Sequence, residues 1–102
     1  MKFEWDETKA AKNLKKHHVS FNQAALVFID PFVMTISDID HSYEEDREIS
    51  MGLVPQGNIL VVVHTFRERA GTEWIRIISA RKADTLEEAV YFTKRKSHEK
   101  PL

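Results

Sequence analysis

Apolar residues early in the chain recur every three or four positions, which is the spacing of one helix face. The segment 7–17 carries its alanines and Leu14 on one side and lysines on the others. Asp6 stands before it in the position of a helix N-cap, and His17 and His18 stand at its end. The pattern therefore predicts a first helix over 7–17.

A second helix is predicted to begin at Ser20. Gln23 follows three residues later, which makes a capping box, and Val19 and Ala24 have the spacing of a hydrophobic staple. Pro31 ends this helix, because a proline forces the residue before it into an extended conformation.

After Pro31 the apolar pattern changes to an alternation of period two, which indicates strands. Four strands are predicted, over 32–39, 47–54, 59–66 and 73–83. Short turns over 55–58 and 67–72 separate the last three strands, so we expect an antiparallel meander.

A third helix is predicted over 86–96, opened by a second capping box of Thr85 and Glu88. The elements together predict an α+β fold. It has two N-terminal helices, a four-stranded antiparallel sheet and a C-terminal helix, with the helices on one face of the sheet. At 102 residues the chain is expected to form a single domain over 1–102.

Composition excludes several classes of function. The chain has no cysteine, so disulfides, thiolate catalysis and cysteine metal sites are impossible. Its N-terminus is charged and it has no long apolar run, so we expect no signal peptide, no membrane contact and a cytoplasmic location. The net charge is −1, and nucleic acid would therefore have to bind to a local basic patch.

The last predicted strand carries cations among its apolar residues. Regular alternation would put Arg76 and Lys82 on one face and Ser79 and Arg81 on the other. The two arginines would then point to opposite faces, unless one of them lies at the end of the strand. Buried cations without partners are costly, so we expect at least one arginine to meet an anion.

Two motifs carry a resemblance to a known family. They are W-D-x-x-K-x-x-x-N-x-x-K-H, which begins at Trp5, and R-I-I-S-A-R-K-A, which begins at Arg76. With the sequence around them, from Phe3 to about Tyr91, they resemble the BrnT toxins of bacterial type II toxin–antitoxin systems. The chain differs from the family pattern at His18, where a glycine usually follows the Lys-His pair, and in a less basic segment after the second motif.

The resemblance implies a RelE-like fold and a ribonuclease that blocks translation. It also implies a BrnA-like antitoxin with a ribbon-helix-helix domain, which would bind and inhibit the toxin in a hetero-oligomer. DNA at the operator would be contacted only through that antitoxin.

RNA cleavage without a metal requires a base, an acid and cations that stabilise the phosphorane. Arg76, Arg81 and Arg47 are candidates for the cations, since a guanidinium stays charged and binds phosphate oxygens in pairs. His64 is a candidate acid or base, because imidazole titrates near neutral pH. Glu45 and Glu48 are two further possible bases. Each of these residues also has a structural reading, as a surface residue, an ion-pair partner or a hydrogen-bonding group.

Lysines Lys9, Lys16 and Lys82 are candidate RNA contacts. Lys9 and Lys16 share a helix face with Asn13, and that face could instead tie the first helix to the sheet. No metal or cofactor site is expected, because adjacent histidines on a helix diverge by about 100° and make a poor chelate. Two alternatives stay open: a non-catalytic module that binds the antitoxin and acts only in operon repression, and a purely structural domain.

Overall fold

The computed structural model describes residues 1–41 and 46–99. Its helices are α1 (Glu7–His17), α2 (Phe21–Ala25) and α3 (Thr85–Glu99), and a 3₁₀ turn over Leu26–Ile29 continues α2. Its strands are β1 (Lys2–Glu4), β2 (Met34–Ser37), β3 (Arg47–Leu53), β4 (Ile59–Arg69) and β5 (Thr72–Lys82). The prediction of an α+β fold is confirmed. No helix in the described ranges is long and apolar enough to cross a membrane.

The described residues form a sheet of five strands in the order β1-β5-β4-β3-β2. The pairs from β5 to β2 are antiparallel as predicted, but β1 lies parallel to β5, with Phe3 opposite Ile75. The prediction of four antiparallel strands is therefore wrong. A strand of three residues is too short to show alternation, and its partner lies some seventy residues away in the chain.

The hairpin between β4 and β5 is tighter than predicted. Both strands extend through the segment 67–72 and leave only Ala70 and Gly71 in the turn. These two residues have φ angles of 50° and 79°, as a two-residue turn of the primed type requires. The polar residues of this segment therefore lie in strands, where they form ladder bonds.

One face of the sheet is covered by α1, α2 and the turn after α2, and we call it the covered face. Buried side chains from β4 and β5 pack there against Phe21, Ala24 and Val27. A Cβ at Gly52 would lie 2.9 Å from Val27 Cγ1 and 3.0 Å from its carbonyl oxygen. This position therefore needs glycine for the close approach of the helical layer.

Asn13 attaches α1 to the edge of β5. Its Nδ2 donates to the Val19 and Ala80 carbonyls at 3.0 and 2.8 Å, and its Oδ1 accepts from the Ala80 N–H at 3.1 Å. The helix then ends at His18, which has the left-handed φ of 59° and donates its N–H to the Leu14 carbonyl. Asn13 therefore ties α1 to the sheet, which is one of the two roles that the sequence left open for this helix face.

The capping box of α3 lies one residue earlier than predicted. Glu87 N–H donates to Asp84 Oδ1 at 2.8 Å, and Asp84 N–H donates to Glu87 Oε1 at 2.9 Å. The predicted pair Thr85 and Glu88 is therefore wrong, because Asp84 offers the same spacing with a better cap.

Buried Tyr91 anchors the middle of α3 by donating its hydroxyl to the Asp30 carboxylate. Asp30 also accepts from the N–H groups of Leu53 at 2.7 Å and Phe32 at 2.8 Å. Burial acts to raise the pKa of Asp30, but the three hydrogen bonds together outweigh it and the pKa is lowered. The first turns of α3 are left beside the face opposite to α1 and α2, which we call the open face.

Candidate active site

A β-bulge in β5 decides where the arginines point. Val63 pairs with Ser79 and His64 pairs with Ile77, so Ile78 is an extra residue without a cross-strand partner. The extra residue shifts the alternation of β5 by one position. Arg76 then pairs with Thr65 and Arg81 with Val61, so both arginines lie on the open face. The expectation from regular alternation, that they point to opposite faces, is wrong for this reason.

The register of the sheet gives the arrangement of the open face. Its side chains form three rows across β3, β4 and β5. The rows are Met51–Val61–Arg81, Ile49–Val63–Ser79 and Arg47–Thr65–Arg76. Arg81 and Arg76 therefore stand at opposite ends of a face that is apolar in its centre.

Arg81 is held in a fixed orientation. Its Nη1 and Nη2 donate to the two carboxylate oxygens of Glu87 at 2.7 and 2.8 Å, and Nη1 also approaches the Lys82 carbonyl at 3.4 Å. The hydrogen bonds from Arg81 hold the pKa of Glu87 at about 2, and Glu87 in turn raises the pKa of Arg81. Among the described residues, nothing accepts from Nε–H and the second Nη2–H of Arg81. These two parallel donors lie on one side of the guanidinium, and we call them the side fork.

His17 lines the same cavity as this arginine, which was not predicted from the sequence. A cavity of about 210 Å³ on the open face has His17, Ser79, Arg81 and Glu87 in its wall and apolar residues of β2, β3 and β4 as its floor. From the sequence, His17 was interpreted as the end of a helix and, with His18, as a poor metal chelate. The available signal was its place as the last residue of the first motif, four residues after Asn13, which attaches α1 to β5.

Arg76 has a looser environment. Its guanidinium lies 3.9 Å from Glu4, but the Glu4 carboxylate is already bound by both terminal nitrogens of Arg69, at 3.0 and 2.7 Å. Those bonds from Arg69 lower the pKa of Glu4. Between Arg76 and Arg47 stands Thr65, which is buried and whose hydroxyl has no hydrogen-bond partner among the described residues.

His64 lies on the covered face and is not brought together with the arginines. It is only 3% exposed, and the Phe28 ring packs edge-on against it with 4.8 Å between ring centres. Its Nε2 forms a 2.7 Å hydrogen bond with Ser50 Oγ, which bonds Thr35 Oγ1 at 2.7 Å. Burial lowers the pKa of His64 to about 4, so the ring is neutral at pH 7.

The remaining candidates are spread around the sheet. Lys9 and Lys16 are exposed on α1, and Lys82 is exposed but pairs in register with Leu60 of the covered face. Glu48 pairs with His64 on the same covered side. Glu45 lies outside the described residues. Within the described ranges, no three His, Cys, Asp or Glu side chains are grouped so that they could hold a metal ion.

Comparison with known proteins agrees with this architecture. The family model of the ribonuclease toxin BrnT of type II toxin–antitoxin systems matches residues 5–87. The crystal structure of the Brucella abortus ribonuclease toxin BrnT is similar in fold, with a TM-score of 0.60 and 24% sequence identity over 83% of this chain and 99% of that one. No curated protein matches this chain. Since the family model spans most of the sequence, the chain belongs to the BrnT family of ribonuclease toxins of type II toxin–antitoxin systems.

Proposed function

We propose that this toxin is a metal-independent endoribonuclease whose active site is the cavity beside Arg81. The observation that carries the proposal is that His17, Ser79 and Arg81 line one cavity, on the same face as Arg76. A candidate proton-transfer group and a candidate phosphate-binding group thereby line one cavity on the open face.

Cleavage would proceed by attack of the RNA 2′-oxygen on the neighbouring phosphorus. The new O–P bond forms as the bond to the 5′-oxygen breaks, the 2′-hydroxyl proton goes to a base, and the 5′-oxygen receives a proton from an acid. His17 carries out one of these two transfers, since an imidazole is able to accept and donate a proton near neutral pH. The extra negative charge of the phosphorane falls on donors that need no metal.

Arg81 is the donor best suited to that charge. Glu87 occupies the end of its guanidinium, and the side fork of Nε–H and Nη2–H is left to meet two phosphate oxygens. Because the ion pair fixes the guanidinium before RNA binds, little reorganisation is needed during the reaction. Ser79 stands between Arg81 and Arg76 along the strand and offers a hydroxyl to the same phosphate.

Arg76 and Arg47 would bind the neighbouring phosphates of the RNA. They flank Thr65 in one row of the sheet, and a row of donors across strands follows an extended backbone. Lys9 and Lys16 stay predicted RNA contacts from α1. The roles predicted for Lys82 and His64 stay untested, and their positions toward the covered face do not support them.

The partner that we propose is a BrnA-like antitoxin with a ribbon-helix-helix domain. It would neutralise the toxin in the cytoplasm, and operator DNA would be bound only through it. In its absence, RNA cleavage would stop translation. Support comes from membership of a toxin family whose systems pair a toxin with an antitoxin.

The test is cleavage of single-stranded RNA by the purified protein in EDTA. We expect cleavage in EDTA, no stimulation by added divalent cations, and arrest of growth when the protein is expressed without its antitoxin. Cleavage that EDTA abolishes and a divalent cation restores would contradict metal independence. A folded protein that neither cleaves RNA nor arrests growth would favour the alternative, a non-catalytic module that binds the antitoxin in operon repression.

A further inference from the structure

Exposed apolar side chains are concentrated around one edge of the sheet. Nine large apolar side chains are exposed in the described part of the chain, and five of them lie around β2. Those five are Ile36, Ile39, Phe66, Leu86 and Val90, with exposed fractions of 63, 83, 47, 76 and 45%. Single exposed apolar residues are ordinary, but a cluster of this kind marks an interaction surface.

On the open side of β2 the cluster forms a groove between the sheet and α3. A cavity of about 230 Å³ is lined by side chains of β2, β3 and β4 and by the first turns of α3. Its lining residues are Met34, Ile36, Ile49, Met51, Val61, Leu86, Glu87 and Val90. All but one are apolar, so the groove is suited to side chains of the same character.

On the other side of β2 lies a hollow of a different kind. A cavity of about 630 Å³ is lined by Asp46, Glu48, Arg47 and Phe66, with Ser37 and Ile39 completing the wall. Asp38 and Asp40 follow β2 in the chain beside it. Of the described residues at this hollow, Asp38, Asp40, Asp46 and Glu48 carry four negative charges against the one positive charge of Arg47, a sum of −3 for these five side chains.

We propose that this edge of the sheet is the docking surface for the antitoxin. A segment of the antitoxin crosses β2, with apolar side chains in the groove and a lysine or arginine in the acidic hollow. The cation meets the carboxylates of Asp46 and Glu48, and its stem or guanidinium lies against the exposed face of Phe66. Within the described ranges β2 has no neighbour on its outer side in the sheet, so the segment has access to both hollows. The proposal rests on the antitoxin named under the proposed function.

Charge distinguishes a protein partner from RNA at this surface. An RNA strand brings one negative charge per nucleotide, and the carboxylates around the hollow would repel it. Among the described residues that line the apolar groove, Glu87 alone is polar and it is bound to Arg81, so these residues offer phosphate oxygens no side-chain donor. A cationic, partly apolar protein segment satisfies both hollows at once.

The position of the groove also accounts for neutralisation. Ile36, Ile49, Val61 and Glu87 line both the groove and the proposed active-site cavity. A segment seated in the groove therefore stands beside His17 and Arg81 and excludes the RNA backbone from them. Inhibition then follows from occlusion, with no change in the toxin backbone.

The test measures the affinity of the full-length toxin for the antitoxin encoded beside its gene, by calorimetry with both proteins purified. Leu86→Gln probes the groove, and Leu14→Gln is its matched control, because Leu14 is 50% exposed on α1. Asp46→Lys probes the hollow, and Glu68→Lys, an equal change of charge on exposed β4, is its control. Circular dichroism and melting temperature confirm that each variant is folded.

We expect Leu86→Gln and Asp46→Lys each to weaken antitoxin binding at least tenfold, since the first puts an amide into the apolar groove and the second places a cation opposite a cation. The antitoxin affinity of the two control variants should stay within about twofold of the wild-type value. Wild-type affinity in both probe variants would overturn the proposal.

A second arm measures binding of a single-stranded RNA with 2′-deoxy substitutions, which resists cleavage. If Leu86→Gln weakened RNA binding and left antitoxin binding intact, the surface would belong to RNA and the proposal would be wrong. The antitoxin arm needs no catalysis. Loss of ribonuclease activity in the wild type would therefore refute the proposed function and leave this proposal standing.

Discussion

The two faces of the sheet hold their polar side chains in opposite ways. On the covered face, His64 is buried under Phe28, bonds only to Ser50 among the described residues, and has a pKa lowered to about 4. On the open face, Arg81 keeps its charge, with 43% of its side chain exposed and a carboxylate partner that fixes it. The same strands, β4 and β5, supply both residues.

This difference between the two faces indicates that the covered face serves the stability of the fold and the open face serves the proposed reaction. A neutral, enclosed histidine contributes to packing and, through Ser50 and Thr35, to a short chain of hydrogen bonds. An exposed, oriented cation contributes little to stability, because partly exposed ion pairs are typically worth about 0–1 kcal/mol. Changes on the open face should therefore alter the reaction rate, and changes on the covered face should alter the free energy of unfolding.

The largest effect is expected at His17. Replacing it by glutamine removes the proposed proton-transfer group from the cavity beside Arg81, and general acid–base groups typically contribute about 10²–10⁴ in rate. We expect kcat for RNA cleavage to fall by that factor while the melting temperature stays within a few degrees. His18→Asn is the control, since asparagine tolerates the left-handed conformation at this position. A His17→Gln enzyme with the wild-type kcat would place the acid or base elsewhere.

The two arginines should differ from each other. Arg81→Ala removes an oriented donor and should lower kcat/KM by about 10²–10³ with little change in melting temperature. Arg76→Ala removes a guanidinium held only at 3.9 Å from Glu4, and we expect a loss of about tenfold that falls mainly on KM. Both variants should still bind antitoxin. Initial rates over a range of RNA concentrations separate the two cases, and the opposite ranking would assign the reacting phosphate to Arg76.

On the covered face, His64 should make the free energy of unfolding depend on pH. The pKa of His64 is about 4 in the folded protein and about 6.5 in the unfolded chain, so its contribution is present above pH 6.5 and is lost as the pH falls toward 4. This histidine should account for a loss of at most roughly 3 kcal/mol in the free energy of unfolding over that range.

Urea unfolding at pH 7, 5.5 and 4 measures this loss. In His64→Leu the loss between pH 6.5 and 4 should largely disappear, whereas His98→Gln, at an exposed histidine of α3, should keep it. If His64→Leu loses stability over this range as steeply as the wild type, another group is responsible. The contribution of Glu87 to stability can be told apart from that of His64. Because the pKa of Glu87 is about 2 in the folded protein, its contribution is lost only below about pH 4.5.

The smallest effect is expected at Glu87. Glutamine there weakens the clamp on Arg81 and the capping bond to Asp84, so we expect kcat to fall by about tenfold and stability by roughly 0.5–1 kcal/mol. Glu88→Gln alters a neighbouring exposed carboxylate and should change neither quantity measurably. An unchanged kcat in Glu87→Gln would show that Arg81 acts without being held in place.

Local features of the chain were predictable in detail. The cap of α1 is Asp6, which accepts from the Lys9 N–H at 3.0 Å, and the box of Ser20 and Gln23 is present as predicted. Such bonds join residues three apart, so the spacing of side chains determines them. The same holds for strands β3 and β4, whose alternation or continuous apolar run is visible in the sequence.

The arrangement of the candidate site was predictable only in part. The family and the choice of Arg76 and Arg81 as candidates came from residue patterns, but the pairing of Arg81 with Glu87 and the approach of His17 did not. Asn13 brings the end of α1 to β5 across a separation of 67 residues in the chain. No local pattern describes a contact of that range, because it depends on how the helix lies against the sheet.

The sequence by itself determined the helices, the antiparallel meander and the family, because periodicity, caps and motifs are properties of neighbouring residues. Only the tertiary structure decided that β1 joins the sheet, that His64 is enclosed, and that both arginines share the open face. The last point depends on a single extra residue, Ile78, which shifts the register between β4 and β5. A bulge forms where the pairing of two strands favours it, and that pairing is settled by the packing of the whole sheet.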